Sequence, residues 1–369
     1  MIDTQTSSFL SRTPRDIHCA QDYEHLARQF IAAPTYAYVS GGSGQDTTLA
    51  ANAEAFARFK LWPRLLGDVT AGHTALDLLG RNFAHPILLA PLAFQKLVHP
   101  KGELETAQAA AVTDTCMVSS TLSSMSLEEV ARYAGRERWF QLYFQPDREA
   151  TLDLVRRAQR AGFTALMVTL DGTIQVPSHR ALRAGFQMPP DAVPANLTAY
   201  PVAPPPDRPP KGNGIFQGLM LRAPTWADLN WLLEHSSLPV LVKGVLHADD
   251  AVRMQATGVA GLVVSNHGGR TLDGVPASLA VLPGIRQAVG PGYPLLLDSG
   301  IRSGGDVFKA LALGADAVMV GRLQAYALGV AGALGVAHML RLLREELELC
   351  MAMTGCATVA DIGPELLHS

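Results

Sequence analysis

From residue 87 onward, short apolar segments alternate with longer segments whose apolar positions recur at helical spacing. The short segments predict eight buried strands, at Ile87–Ala90, Thr115–Val118, Trp139–Tyr143, Ala165–Thr169, Val240–Val242, Gly261–Val264, Leu295–Leu297 and Ala317–Val320. The longer segments predict helices at Gly102–Thr113, Leu127–Tyr133, Arg148–Ala161, Trp226–His235, Ala248–Thr257, Ala277–Val289 and Gly304–Leu313. The chain is therefore a series of strand–helix units.

Eight such units within about 240 residues favour an α/β fold, a parallel (β/α)8 barrel of the TIM type. A doubly wound open sheet is the alternative. It would carry a Gly-x-Gly-x-x-Gly fingerprint after an early strand, and the early strand–helix turns contain none. In a parallel barrel the C-terminal ends of the strands share one face, and functional side chains are expected there.

Two regions fall outside this pattern. Before the first strand, helical spacing over Asp22–Phe30 and a second helix, from Thr47 or Thr48 to Phe59, predict an N-terminal helical extension. After the fourth strand, residues 172–223 are rich in proline and glycine and predict a long lid loop over the functional face. We expect residues 1–20 to be flexible and the chain, 1–369, to form one domain.

The composition argues against several classes of function. The chain has 369 residues and a formal net charge of −3, with dispersed lysines and arginines, which argues against nucleic-acid binding. The apolar runs are shorter than the roughly 20 residues of a membrane span, and the N-terminus lacks an apolar signal-peptide core. The four cysteines show no metal-ligand spacing and predict reduced thiols in a cytoplasmic protein without a metal site.

The sixth predicted strand ends in residues typical of an active site. It is followed by Ser265, Asn266, His267, two glycines and Arg270. We interpret His267 as a base, and Arg270 as a cation that binds a carboxylate through two parallel hydrogen bonds. Asp171 follows the fourth strand and could reach His267 across the barrel mouth, orienting it and raising its proton affinity. A structural histidine is the alternative interpretation.

The segment DSGIRSGGD after the seventh strand and Gly321-Arg322 after the eighth predict a phosphate site. Arg302 and Arg322 would each add a charge-assisted pair to an anion. Glycine N–H groups allow an anion to approach the backbone closely, and a helix N-terminus favours it; the candidates are Gly300, Gly304, Gly305 and Gly321. The alternative is that these glycines only form tight turns.

Lys243 ends a buried strand, where an unpaired lysine is costly. It could form a Schiff base, hold an anion or pair with a structural carboxylate, so a Schiff-base lyase is a competing function. Ser119, Gln141 and Thr169 could line the plane of a flat polar heterocycle. For each of these three alone, a hydrogen bond within the core is the simpler explanation.

Together, these stretches resemble the FMN-dependent 2-hydroxy-acid oxidase and dehydrogenase family, which includes glycolate oxidase, lactate oxidase and mandelate dehydrogenase. The resemblance covers roughly Asp22 to Ile362 and is carried by YVSGGSGQDTTLAANAEAF, LLAPLAFQKLVHPKGE, FQLYFQPDR, LVKGV, VVSNHGGRTLDGVPA, LLLDSGIRSGGDVFKALALGADAVMVGR and MAMTGC. SNHGGR together with DSGIRSGGDVFKALALGA is a highly specific pair of motifs.

The resemblance implies a barrel that binds one FMN and oxidises an (S)-2-hydroxy acid to the 2-oxo acid. His267 would take the proton, Asp171 would stabilise the imidazolium, and Tyr38, Tyr143 and Arg270 would bind substrate, with Tyr143 also counted as catalytic. The implied cofactor-binding residues are Pro91, Leu92 and Ala93 facing the isoalloxazine, Ser119, Gln141, Thr169 and Lys243 around its ring, Ser265 near the ribityl chain, and Asp298, Ser299, Gly300, Arg302, Gly321 and Arg322 at the ribityl chain and phosphate. The family analogy also implies a homotetramer.

Two departures from the family pattern bear on the substrate. The family usually has a lid arginine seven positions after the aspartate; here that position is Ser178, and Arg180, Arg183 or His179 would have to substitute. Thr121 stands where glycolate oxidase has a bulky tryptophan, which suggests a roomier pocket for a branched or aromatic substrate. A flavin-binding protein that has lost this activity, because the carboxylate clamp is altered, is a further alternative.

Ala93 bears on the electron acceptor. Family members that react well with oxygen tend to have alanine at this position. We therefore expect O2 as the acceptor and hydrogen peroxide as the product, with a dehydrogenase that uses another acceptor as the alternative.

Overall fold

The predicted strands form a closed parallel barrel in the computed structural model, which describes residues 10, 12–174, 176–201 and 213–369. The barrel strands are β1 (Ile87–Leu89), β2 (Met117–Ser120), β3 (Arg138–Leu142), β4 (Ala165–Thr169), β5 (Val240–Val245), β6 (Gly261–Val264), β7 (Leu295–Leu297) and β8 (Ala317–Val320). Strands adjacent in the chain pair in parallel, and β8 pairs with β1 to close the barrel. The prediction of a (β/α)8 barrel is confirmed, and the open-sheet alternative is wrong.

Alternation of side chains along the strands builds two apolar layers. Along β1, Leu88 belongs to a buried cluster to which all eight strands contribute. Its neighbours Ile87 and Leu89 belong to a second cluster, which is shared with the outer helices. A hairpin of Leu76–Leu78 and Arg81–Phe83 packs on the first cluster, because Leu78 and Phe83 are part of it.

Helices surround the barrel and follow the strands in the predicted order. Their bounds are α1 (Asp22–Ala27), α2 (Ala33–Ser40), α3 (Thr47–Ala57), α4 (Glu103–Val112), α5 (Leu127–Tyr133), α6 (Arg148–Arg160), α7 (His179–Arg183), α8 (Trp226–His235), α9 (Ala248–Ala256), α10 (Ser278–Val289), α11 (Gly304–Ala312) and α12 (Arg322–Thr354). The extension before β1 has one helix more than predicted, α2. It starts with Pro34 in its first turn, and its apolar residues lack the one-sided spacing that would reveal a helix.

The segment after β4 contains short elements rather than an unbroken loop. α7 begins after Ser178, whose hydroxyl accepts a hydrogen bond from the Ala181 N–H, and 3-10 turns span Ala195–Leu197 and Leu219–Arg222. Helical periodicity could not reveal α7, because it has only five residues. Residues 175 and 202–212 of the predicted lid lie outside the described residues, as do residues 1–9 and 11 of the N-terminus that we predicted to be flexible.

α12 is, among the described residues, the one helix long and apolar enough by length and composition to cross a membrane. About two thirds of its most apolar window is buried inside the protein. Its course is also interrupted at Ala331 and Gly332, whose backbone angles are not helical. α12 packs on α4, α11 and α1, so the outer layer of the barrel core accounts for its apolar composition.

Candidate active site

A cavity of about 550 Å³ lies at the C-terminal ends of the barrel strands, and residues near the ends of all eight strands contribute to its wall. Most of the predicted site residues line it. Eight of the candidates do not: Ser119, Thr121, Gln141, Asp171, Arg180, Ser265, Gly304 and Gly305. Sequence reasoning missed several wall residues, mostly from the segment after β4, whose spacing carries no periodic signal: Leu122, Ile174, Met188, Leu197, Leu219 and Arg222.

His267 and Asp171 form a hydrogen-bonded pair. Nδ1 of His267 lies 2.9 Å from Oδ1 of Asp171. The backbone of His267 is left-handed, with φ 58°, and its N–H donates to Oγ of Ser265 at 3.0 Å. Burial pushes the pKa of Asp171 upward, but the charges of Lys243 and His267 hold it below its ordinary value. Asp171 is therefore a carboxylate, and its bond to Nδ1 leaves Nε2 as the ring nitrogen available to a substrate.

Gly244 makes room for the Asp171 side chain. The pairing register between β5 and β6 shifts between Lys243 and Val245, which makes Gly244 the extra residue of a bulge. Its backbone has φ 107°, and a Cβ atom there would lie 2.6 Å from Cβ and Cγ of Asp171. Only glycine fits this position without moving the carboxylate.

Arg270 and Tyr38 contact each other on the cavity wall. Nη1 of Arg270 donates to the carbonyl oxygens of Tyr38 (2.8 Å) and Gly41 (3.0 Å). Its guanidinium lies over the Tyr38 ring, 4.8 Å from the centroid. Tyr143 lines the same cavity, and burial raises the pKa of its phenol to about 12, so the hydroxyl remains a hydrogen-bond donor at neutral pH.

Lys243 is a buried ammonium with two partners. Its Nζ lies 3.2 Å from Oδ2 of Asp298 and donates to Oγ of Ser265 at 3.0 Å. Burial alone would lower the pKa of Lys243, but the carboxylates of Asp298 and Asp171 raise it above its ordinary value. The lysine stays protonated, so it is a fixed positive charge rather than an amine nucleophile. Ser265 supports Lys243 and His267 from behind the cavity wall.

Next to Lys243, buried polar groups lack partners among the described residues. Nε2 of Gln141 and Oγ1 of Thr169 make no hydrogen bond there, and Thr169 pairs in register with Lys243. Ser120 donates to Oε1 of Gln141 at 3.1 Å. This fixes the orientation of the amide and leaves its nitrogen as a buried donor without a partner among the described residues. Ser119, one residue earlier, lies 3.4 Å from the Ser123 hydroxyl instead. Ser120 is therefore the serine that orients Gln141.

Two further arginines, Arg302 and Arg322, line the cavity. Arg322 donates to the carbonyl oxygens of Val39 (3.1 Å) and Gly41 (2.8 Å) and makes no ion pair within the described part of the chain. Burial, reinforced by the nearby charge of Arg270, lowers the pKa of Arg322 to about 9. Arg302 contacts Glu24 at 3.3 Å. A buried guanidinium without a counter-charge is the group that an anionic ligand would satisfy.

The anion site differs from the predicted one at two glycines, Gly304 and Gly305, neither of which lines the cavity. Gly304 does not offer its N–H to a ligand, because it donates to Oε2 of Glu346 at 2.7 Å. Ser303 and Asp306 also cap the start of α11 in a capping box. The start of α12 is different, since Gly321 and Arg322 line the cavity and no side chain among the described residues caps this helix. Of these two helices, α12 is therefore the one whose N-terminus is available to an anion in the cavity.

Two predicted substrate contacts point elsewhere. Arg180 forms an ion pair with Asp46, at 2.7 Å, outside the cavity wall. The Thr121 hydroxyl donates to the carbonyl oxygen of Gln141 at 2.7 Å, so the side chain is fully buried against β3. The next residue, Leu122, reaches the cavity instead. The structure therefore assigns the wall position to Leu122 and gives Arg180 no contact with the cavity.

The site fits a flavin mononucleotide. The backbone and side chains of Pro91, Leu92 and Ala93 form an apolar part of the wall. The unpaired donors at Gln141 and Thr169 suit a flat heterocycle with polar edges. Arg322, a cation on the cavity wall without an ion pair among the described residues, suits a phosphate. Fold and site together define a flavin-dependent barrel oxidoreductase.

Comparison with known proteins gives the family. A family model described as FMN-dependent dehydrogenase matches residues 27–369. An L-lactate oxidase of Alicycliphilus denitrificans is 59% identical over 357 residues, which cover 96% of this chain and 98% of the relative. A glycolate oxidase 3 of Oryza sativa subsp. indica is 41% identical over 342 residues, which cover 92% and 93%.

A variant of mandelate oxidase, solved with a C4a-OH-FMN adduct, has a TM-score of 0.83 and 40% identity and covers 94% of this chain and 98% of its own. The chain belongs to the FMN-dependent dehydrogenase family, among the 2-hydroxy-acid oxidases that its sequence resembles. Its cofactor is FMN.

Proposed function

We propose that this enzyme oxidises an (S)-2-hydroxy acid to the 2-oxo acid and transfers the electrons to O2, giving hydrogen peroxide. The observation that carries the proposal is the His267–Asp171 pair, whose His267 lines one cavity with Arg270 and most of the residues proposed to bind FMN. The names of its relatives, L-lactate oxidase, glycolate oxidase and mandelate oxidase, agree with this reaction class.

Arg270 binds and orients the substrate carboxylate. Two carbonyl oxygens hold its Nη1, which fixes the plane of the guanidinium. A planar fork of donors matches a carboxylate with two parallel bonds. The hydroxyl of Tyr143 is a second donor for the substrate. It is neutral, because burial keeps the phenol protonated.

His267 moves the proton. As the substrate C2 centre is oxidised to a carbonyl, two electrons and two protons leave it, and Nε2 of His267 accepts one of these protons. Asp171 holds the ring through Nδ1 and stabilises the imidazolium with its negative charge. FMN, when bound, accepts the two electrons and passes them to O2, which takes up two protons to become hydrogen peroxide.

The remaining polar residues of the site hold the cofactor. Gln141 and Thr169 offer the unpaired donors for the flavin ring, and Lys243 supplies a permanent positive charge beside it. A fixed cation stabilises negative charge that develops on the ring during reduction. Arg302 and Arg322 bind the phosphate. The competing Schiff-base lyase would need a neutral lysine, and the pairing of Lys243 with Asp298 disfavours that form.

The substrate side chain faces apolar residues. Leu122, Ile174 and Leu197 contribute to the cavity wall, and Met188 and Leu219 add to it from the segment after β4. This wall suits an alkyl or aromatic substituent on C2 rather than a second charge. Lactate is the first substrate to test, and 2-hydroxybutyrate and mandelate probe longer and wider side chains.

The decisive experiment is an anaerobic titration of the yellow holoenzyme with glycolate, lactate, 2-hydroxybutyrate and mandelate. At least one of them is expected to bleach the flavin absorbance. Air is then admitted, and stoichiometric hydrogen peroxide is expected. Bleaching followed by slow return in air, but fast return with an artificial electron acceptor, would instead assign a dehydrogenase. No bleaching by any 2-hydroxy acid would overturn the proposed function, and trapping of a carbonyl compound on Lys243 by borohydride would establish the lyase.

Location and assembly are part of the same proposal. We propose a cytoplasmic enzyme, supported by the free state of Cys19, Cys116, Cys350 and Cys356. We also propose a homo-oligomer, a tetramer by family analogy. Light scattering of the purified holoenzyme measures its mass, and a mass of one chain would refute the assembly.

A further inference from the structure

Arg180 forms an ion pair with Asp46 and does not line the cavity. Its Nε and Nη2 lie 2.8 Å and 2.7 Å from Oδ2 of Asp46. The other oxygen of Asp46, Oδ1, accepts the N–H of Gly42 at 2.6 Å. Asp46 itself has φ 66°, a strained conformation for a residue with a side chain. One carboxylate therefore joins α7 to the glycine loop between α2 and α3.

The same two segments are joined by backbone and ring contacts. Gly44 and Ser178 form a parallel bridge: Gly44 N–H donates to the Pro177 carbonyl at 3.0 Å, and His179 N–H donates to the Gly44 carbonyl at 3.4 Å. Phe186, just after α7, stacks on Tyr38 with ring centroids 4.2 Å apart and an interplanar angle of 11°. We call this set of contacts the clasp: Arg180–Asp46, Gly44–Ser178 and Tyr38–Phe186.

The clasp contacts Arg270, the cation proposed to bind the substrate carboxylate, through Tyr38. The Tyr38 ring stacks on Phe186, and the guanidinium of Arg270 also lies over the Tyr38 ring. The Tyr38 carbonyl also accepts Nη1 of Arg270. The clasp therefore holds both the Tyr38 end of α2, through Phe186, and the glycine loop that begins at Gly41, and both carry groups that fix Arg270.

We propose that Arg180 is a positioning residue: its ion pair with Asp46 fastens the α7 segment onto the glycine loop and so holds Tyr38 and Arg270 in place for the substrate carboxylate. This inference rests on the proposed function for its substrate. It also explains how the site works with Ser178 at the position of the lid arginine. In this chain Arg180 acts on the carboxylate through Arg270, not by contact.

The test compares Arg180→Ala, Arg180→Lys, Asp46→Asn and the double variant Arg180→Ala/Asp46→Asn, each as FMN-loaded enzyme. The KM for the best 2-hydroxy acid is expected to rise about twofold to fivefold in Arg180→Ala, the range for one partly exposed charged pair. kcat is expected to change less than twofold, since His267 and the flavin-binding residues do not touch the clasp. Arg180→Lys restores part of the loss. The double variant is no worse than the poorer single variant, because both remove one interaction.

Arg81→Ala is the matched control. Arg81 also makes two contacts with a carboxylate, that of Glu137, and it is similarly half-exposed, but it lies in the hairpin at the N-terminal end of the barrel. Its KM is expected to stay at the wild-type value. An Arg180→Ala variant with the KM of Arg81→Ala, or additive effects in the double variant, would overturn the proposal.

Hydrogen exchange gives a readout that needs no turnover. In Arg180→Ala holoenzyme, the amides of residues 42–46 and 178–186 are expected to exchange faster than in wild type, while those of the barrel strands do not. Unchanged exchange in these two segments refutes the clasp even if the KM rises. If no 2-hydroxy acid reduces the flavin, the proposed function fails and hydrogen exchange alone decides the clasp.

Discussion

Nδ1 of His267 lies 2.9 Å from Oδ1 of Asp171, and this contact leaves Nε2 as the ring nitrogen available to a substrate. We predict that His267→Ala and Asp171→Asn retain FMN but slow its reduction by substrate. The expected loss is about 10²- to 10⁴-fold, the usual contribution of a positioned base. Anaerobic stopped-flow at the flavin absorbance measures the rate. Reduction at the wild-type rate in His267→Ala would remove His267 from the proposed role.

The bulge at Gly244 is predicted to be essential for the same pair. In Gly244→Ala, the new Cβ collides with Asp171, so the His267–Asp171 contact breaks and flavin reduction slows. The substitution also introduces backbone strain of about 1–3 kcal/mol. Gly258→Ala is the matched control, because Gly258 has φ 90° and nothing within 4 Å of its Cβ position. Thermal unfolding and reduction rates separate the two effects: both variants lose stability, and only Gly244→Ala loses activity. Equal activities would contradict the steric argument.

Arg322 is predicted to distinguish FMN from riboflavin. Arg322→Ala should weaken binding of FMN about 10- to 100-fold, the value of one charge-assisted bond to a phosphate. Binding of riboflavin, which has no phosphate, should be unchanged. Fluorescence titration of the apoenzyme measures both affinities. Arg341→Ala, which removes an exposed arginine on the same helix, serves as the control and should alter neither. Equal losses for both flavins in Arg322→Ala would place the phosphate elsewhere.

Tyr143 is predicted to act as a neutral donor at every working pH. Burial raises its pKa to about 12, so the phenol is protonated well below that value. Tyr143→Phe should lower kcat/KM about tenfold through the lost hydrogen bond. The ratio of wild type to variant should stay constant between about pH 6 and pH 10, because the Tyr143 phenol does not ionise in that range. A ratio that falls steadily with rising pH would show that Tyr143 ionises during catalysis.

The barrel could be predicted because buried parallel strands are short apolar runs, as Gly261–Val264 is, and the helices between them are amphipathic. The same rule located His267 and Arg270, since each follows the end of β6. The resemblance of SNHGGR and DSGIRSGGD to known motifs then supplied the cofactor. Periodicity and motif together account for most of the cavity wall.

The contacts that depend on distant residues were not predictable. Arg180 is drawn to Asp46, which is 134 positions away in the chain. Leu122 takes the position on the cavity wall that was predicted for Thr121, because the side chains of these neighbouring residues just after β2 point in different directions. A glycine inside a strand can signal a bulge, but only the structure shows that the Gly244 bulge accommodates Asp171. Leu197 and Leu219 come from a segment without periodicity, so no sequence pattern places them at the substrate.

The carbonyl oxygen of Gly41 accepts hydrogen bonds from both Arg270 and Arg322, two cations on the cavity wall. From the proposed roles of these two arginines, we expect cofactor retention and substrate affinity to be thermodynamically linked through this backbone atom. Such linkage is reciprocal: the factor by which a bound phosphate changes the affinity for a hydroxy acid equals the factor by which the acid changes the affinity for the phosphate. We therefore expect the enzyme saturated with substrate to bind FMN with a different affinity from the substrate-free enzyme.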